Sequence, residues 1–160
     1  MVIMALVYQK FERPTSAQND LLLSADPSQS LIDSYLKTGT AFAASDSRGL
    51  IGVLVLLPRA NQILEIANLA VTPSRQRQGY GKALLEFARQ WASDHGYHML
   101  RVATGTTSFT QLYLYQRQGY RVVAVEADYF TTHYNHDIME NGLKLRDRLV
   151  LTRRVVSPTD

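Results

Sequence analysis

Leu69-Ala70-Val71-Thr72-Pro73-Ser74-Arg75-Gln76-Arg77-Gln78-Gly79-Tyr80-Gly81-Lys82-Ala83-Leu84-Leu85 is the stretch that decides how this chain folds. An apolar run ends at Val71, Pro73 turns the chain, and a helix opens at two closely spaced glycines. The helix continues to about residue 95, because Ala83, Leu84, Phe87, Ala88, Trp91 and Ala92 recur at helical spacing and Gly96 stops it. A strand that feeds a helix through such a loop aims unpaired backbone N–H groups outward, at the positive end of the helix dipole. That is a site for an anion. Glycine at 79 and 81 lets the main chain approach a bulky phosphate, and Arg75, Arg77 and Lys82 add positive charge around it. Two other phosphate-binding patterns fail on spacing. A dinucleotide fingerprint needs a third glycine where Leu84 stands, and a phosphate loop needs an earlier glycine that is missing.

Upstream of this loop, residues 2–8, 40–44, 50–57 and 63–71 read as strands, and 15–23 and 26–37 as short helices. Asp26 reads as the cap of the second helix, with Pro27 at its first position. Ser45-Asp46-Ser47-Arg48-Gly49 carries a hairpin signal. Downstream come a buried strand at 99–103, a helix at 108–118 and a strand at 120–125. An irregular stretch at 127–145 follows, then an alternating strand at 146–155. Strands first, then strand–helix–strand–helix–strand, implies one mixed α/β (α+β) sheet. The 160 residues suit a single domain over 1–160.

Composition narrows the function classes. Hydrophobic residues make up 46% and charged ones 19%, an ordinary globular balance. Cysteine is absent, which excludes disulfides, thiolate metal sites and a cysteine nucleophile. His133 and His136, three residues apart without a helix, are a weak metal signal, so no metal is expected. A formal charge of +3 suits an anionic ligand but falls short of a nucleic-acid binder's basic stripe. The longest apolar run, 50–58, is about half the roughly 20 residues of a spanning helix. Residues 1–8 lack a leading basic region and a cleavage site. Neither nucleic acid nor membrane is expected as a partner, and the cytoplasm is the expected compartment.

Gln76-x-x-Gly79-x-Gly81 resembles motif A of the GNAT superfamily of N-acetyltransferases, and Val71-x-Pro73 and Ala83-Leu84-Leu85 match its flanks. Ser108-x-x-Gln111-x-x-Leu114-Tyr115-x-x-x-Gly119-Tyr120 is similar to the family's Asn-x-x-Ala-x-x-Leu-Tyr-x-x-x-Gly-Phe. The tail, with its Tyr-Phe…His-Tyr…Glu-Asn-Gly…Arg-Asp order, resembles an uncharacterised bacterial subgroup of these enzymes. The resemblance implies a mostly antiparallel central sheet of about seven strands, splayed at the cofactor site and flanked by about four helices. It implies acetyl-CoA as cofactor. The pyrophosphate would lie on the backbone of Gln76, Arg77, Gln78, Gly79, Tyr80, Gly81 and Lys82, and the pantetheine arm beside Leu69, Ala70 and Val71.

By the same resemblance Tyr115 is the general acid for the CoA sulfur, and a backbone N–H at Val71 or its neighbour polarises the acyl carbonyl. Glu65 matches the base of the family's protein-acetylating branch. On an alternating strand it shares a face with Ala67 and Leu69, and apolar neighbours would raise its pKa as a base needs. Water is the other route for the proton. Ser108 stands where the family has asparagine, and its hydroxyl is open to two roles: bonding the pantetheine or capping the helix. Tyr129, Phe130, His133, Tyr134 and Glu140 interleave rings with acidic and polar groups, a wall suited to a cationic amine. The function implied is acetyl transfer from acetyl-CoA to a primary amine of a small molecule or a protein, by a monomer or homodimer. The alternative is a non-catalytic acyl-CoA-binding sensor.

Overall fold

The computed structural model describes residues 5–156. In chain order the elements are β1 (Val7–Phe11), α1 (Ser16–Ala25), α2 (Gln29–Thr38), β2 (Thr40–Asp46), β3 (Gly49–Arg59) and β4 (Ile63–Val71). Then come α3 (Tyr80–Asp94), β5 (Met99–Gly105), α4 (Phe109–Arg117), β6 (Arg121–Glu126), α5 (Tyr129–His133), β7 (Met139–Glu140), β8 (Leu143–Lys144) and β9 (Arg148–Arg154). Seven strands form one sheet in the order β1-β2-β3-β4-β5-β9-β6, and β7 pairs with β8 apart from it. Every neighbouring pair in the sheet is antiparallel except β4 and β5, which run parallel.

β3 shows why the chain folds in layers. Val53, Leu54, Val55 and Leu56 are all fully buried, because both faces of the sheet are covered. Leu54 and Leu56 pack into the core beneath α3 and α4, with Phe42, Leu85, Ala88, Leu100 and Leu151. Val53 and Val55 pack on the other face, with Leu21 and Leu22 of α1 and Ile32 of α2. The first two helices are held at their starts by side chains. Thr15 and Gln18 form a capping box on α1, and the Ser28 hydroxyl accepts from Leu31 N–H on α2.

Two irregularities in β4 position the site. β4 and β5 pair only from Ile63↔Met99 to Ile66↔Val102, although β4 runs on to Val71 and β5 to Gly105. From Ala67 onward the two strands are splayed, and β4 presents an open edge. On its other side the register with β3 shifts between Val55↔Asn68 and Leu56↔Ile66, a bulge that leaves Ala67 as the extra residue. One extra residue exchanges the faces. Leu64 and Ile66 point to the α3 core and so does Leu69, while Asn68 and Ala70 point toward α1 and α2.

Several boundaries differ from those read in the sequence. Of the expected strand 2–8, residues 2–4 lie outside the described residues, and the pairing stretch is Val7–Phe11. Asp26 does not cap α2; Ser28 does, and the Asp26 carboxylate accepts from Ser28 N–H while turning to other partners. The stretch read as irregular carries α5, a fifth helix of five residues, and the β7–β8 hairpin. Both are too short to leave a periodic pattern. None of the described helices is long and apolar enough to cross a membrane.

Candidate active site

α3 begins at Gly79, whose φ of +87° is a left-handed conformation that favours glycine. Unlike α1 and α2, it has no side-chain cap. Its first intrahelical bond is from Ala83 N–H to Gly79 O at 3.1 Å, so the N–H groups of Tyr80, Gly81 and Lys82 have no helical partner. Arg77 also takes a positive φ, +61°, a strained setting for a non-glycine residue and one that recurs at ligand sites. Gln76 Nε2 donates to Val71 O at 3.1 Å and ties this loop back to the end of β4.

These groups face a groove of about 580 Å³. Leu69, Ala70 and Val71 form one wall, Gln76, Arg77, Gly79, Tyr80, Gly81 and Lys82 its end, and Phe109, Gln111, Tyr113 and Leu114 of α4 the opposite wall. Gly81 is where α3 and α4 touch: a Cβ there would stand 3.0 Å from Leu114 Cδ2. Gln78 does not border the groove, and its side chain donates to Ser74 O at 3.3 Å. A second groove, about 700 Å³, lies at the β6–β9 edge against Val122, Val123 and Arg153, and no helix N-terminus opens into it.

Arg75 borders the groove, as the sequence pattern implies, but its guanidinium is not free for a phosphate. Its guanidinium is instead buried in an ion pair with Asp46, donates to the Tyr80 hydroxyl at 3.0 Å and lies 5.2 Å from that ring's centroid. The pair holds the Asp46 carboxyl below the usual carboxylate range and raises Arg75. Arg75 therefore staples the loop to the β2–β3 hairpin, leaving Arg77 and Lys82 as the accessible cations at the groove.

Ser108 is resolved away from capping. No side chain caps α4, and the Ser108 hydroxyl donates to Glu140 Oε1 at 2.6 Å, beside Thr107 Oγ1 at 2.9 Å. Asn141 Nδ2 donates to Thr107 O at 2.8 Å, so the β7–β8 turn is pinned over the start of α4. Glu140 and Asn141 thereby reach the groove.

Tyr115 is buried in the α3–α4 core against Tyr120, one position beyond the groove-lining Leu114, and does not itself border the groove. Its hydroxyl has no hydrogen-bond partner among the described residues, and burial pushes its pKa up to about 12. Glu65 stands in different company from that expected. The bulge at Ala67 puts it on the face opposite Leu69, and its carboxylate lies between Arg59 Nη2 at 2.7 Å and Arg101 Nη1 at 3.4 Å.

The aromatic segment packs on the α1–α2 side of the sheet. The Arg148 guanidinium lies 3.6 Å from the Tyr129 ring centroid, Tyr129 stacks on His133 at 4.1 Å, and Phe130 stacks on Tyr134 at 5.6 Å. His133 Nδ1 is 2.7 Å from Tyr129 O, which spends that ring nitrogen on its own helix. Tyr129, Phe130, His133 and Tyr134 do not border the groove; of the residues expected to meet the acceptor, Glu140 does. The sequence reading missed Asp26, Tyr35 and Asn68, which join this wall to β4. The one available signal was an asparagine in a strand that is apolar apart from it and Glu65.

A family model described as an acetyltransferase (GNAT) domain matches residues 37–122. The chain is 43% identical over 132 residues, 82% of its length and 85% of the relative's, to an uncharacterized N-acetyltransferase YvbK of Bacillus subtilis. It is similar to a GNAT family acetyltransferase from Elizabethkingia anophelis solved with acetyl-CoA bound. That match has 37% identity and a TM-score of 0.88, and covers 93% of this chain and 97% of that one. A Bacillus subtilis acetyltransferase solved in complex with CoA matches with 39% identity and a TM-score of 0.89, over 95% of this chain and all of that one. With the splayed β4, the uncapped α3 start and these matches together, the chain belongs to the GNAT family of acyl-CoA-dependent N-acetyltransferases.

Proposed function

We propose that the chain transfers the acetyl group of acetyl-CoA to a primary amine of a small molecule. One observation carries this reading: a single groove joins an uncapped helix N-terminus to an open strand edge. The residues fit the cofactor. The free N–H groups at the start of α3, with Arg77 and Lys82, would hold its pyrophosphate. The open edge of β4 at Leu69–Val71 would pair with its pantetheine arm, and one of its N–H groups would polarise the acyl carbonyl. Acetyl-CoA supplies the acetyl group as a thioester.

Tyr115, next to the groove-lining Leu114, is the acid of this proposal on its place in the motif, and none of the described residues uses its hydroxyl. The ion-paired Glu65 leaves water to carry off the amine proton. Aromatic side chains packed on the far side of β4 favour a small acceptor over an extended peptide. A cytoplasmic setting and a monomeric or dimeric state belong to the same proposal.

Initial rates of thiol release from acetyl-CoA test it, and the absence of cysteine removes any background from the protein. Saturable turnover with small primary amines is expected. Turnover with peptides alone would overturn the small-molecule reading. Acetyl-CoA binding without turnover on any amine would make the chain a sensor.

A further inference from the structure

Around Tyr129 lie three carboxylates close enough to act on it electrostatically: Asp26, Glu126 and Glu65. Glu65 is paired with Arg59 and Arg101, and Glu126 with Arg148. Asp26, among the described residues, has no cation. Its oxygens accept neutral bonds from three segments: Tyr134 O–H at 2.8 Å, Ser28 N–H at 3.1 Å and Tyr35 O–H at 3.3 Å. A half-buried carboxylate with donors on several sides and no counter-ion is an incomplete arrangement, because buried charge is costly unless it is paired. Burial first, and the neighbouring Asp26 after it, push both tyrosine hydroxyls up, so they stay protonated donors.

A second observation lies in the same network. Asn68, 4% exposed, donates from Nδ2 to Tyr35 Oη at 2.9 Å and to Leu22 O at 3.0 Å, while its Oδ1 is buried without a partner. Leu22 O can only accept, which fixes the amide this way round. A continuous hydrogen-bonded chain thus runs from Tyr134 through Asp26 and Tyr35 to Asn68, next to Leu69 at the open edge of β4. Ser24 and Ala25, just before Asp26, border the groove. The stacked rings of Phe130 and Tyr134 lie beside it as aromatic surface for a cation, while the Tyr129 ring is already taken up by Arg148 and His133.

The geometry points to Asp26 as the specificity-determining residue of the acceptor site, the counter-ion for a second positive charge on a diamine. This deepens the proposed acetyl transfer and rests on it. The charge it meets is not the reacting nitrogen, because an anion there would hold that amine protonated, whereas attack requires it neutral. The reacting nitrogen belongs at the open edge of β4 and the second one at Asp26.

The test compares kcat/KM for a series of α,ω-diamines with that for monoamines of equal chain length. Wild-type protein, Asp26→Asn and Asp26→Glu are used, with acetyl-CoA-dependent thermal unfolding as a check on folding. In Asp26→Asn the amide oxygen would still accept from Ser28 and Tyr134, which isolates the charge. Wild type should prefer one diamine over its monoamine by about tenfold or more; Asp26→Asn should remove that ratio and Asp26→Glu restore part of it. Equal wild-type rates for both series, or a ratio untouched in Asp26→Asn, overturns the assignment. If no amine turns over, calorimetric titration of the diamines into the CoA-bound protein decides. Diamine binding lost in Asp26→Asn supports the Asp26 site while sinking the transferase reading, and binding indifferent to the substitution overturns the site.

Discussion

Tyr115 and Arg75 show how differently single residues can sit from the motif that names them. Tyr115 packs by its ring, and its hydroxyl bonds to nothing among the described residues, so Tyr115→Phe should leave stability nearly unchanged. If the phenol protonates the leaving sulfur, kcat should fall about 100-fold or more while acetyl-CoA affinity holds. Steady-state kinetics beside a thermal melt separates the two, and an unchanged kcat removes Tyr115 as the acid. Gly79 was legible from sequence because it answers to a local requirement, a positive φ at the helix start, whereas the contact of Gly81 with Leu114 of α4 was not. Arg75 was not, because its role depends on Asp46, 29 residues away and brought near only by the hairpin.

At the scale of elements, the bulge in β4 matters most. Alternation along 63–71 places Glu65 and Leu69 on one face, and a single extra residue at Ala67 undoes that. Nothing in the local residue types announces a bulge, so the strand was legible and its faces were not. The consequence is measurable. Glu65→Gln should cost about 1–3 kcal/mol, less than a fully buried pair because Arg59 is half-exposed. The pH dependence of kcat/KM should stay as in wild type; a displaced acid limb would return Glu65 to the base role. The α5 segment escaped for another reason. It is ordered through Arg148, Gly105 and Asp26, contacts that no window of sequence contains.

Across the whole molecule, the strand order and the strand–loop–helix unit were readable because both rest on periodicity and local turn chemistry. The wall proposed to meet the acceptor is assembled from α2, β4, β9 and α5, far apart in sequence, and could be read only as a list of residue types. Ion pairs, two that cross elements and one within α3, also set the acid stability. Arg75, Arg148 and Arg89 hold Asp46, Glu126 and Glu86 below the usual carboxylate range. Their folded-state pKa values lie under the unfolded values near ~4, so this stability is complete above that range and is lost as pH falls through the folded values. The unfolding temperature should therefore decline below about pH 4–5, with a shallower decline in Asp46→Asn; equal slopes would contradict the role given to that pair.

The cofactor site proposed at the start of α3 can be tested before any acceptor is known, by thermal unfolding of wild type and Gly79→Glu with and without acetyl-CoA. At about 100 times its dissociation constant a ligand stabilises by roughly 2.7 kcal/mol, or on the order of 5–10 °C for a domain of this size. Wild type should show that shift. Gly79→Glu, which adds bulk and negative charge at a left-handed glycine, should fold and show none. An equal shift in both proteins, or none in wild type at saturation, would contradict acetyl-CoA binding on the main chain of 76–82.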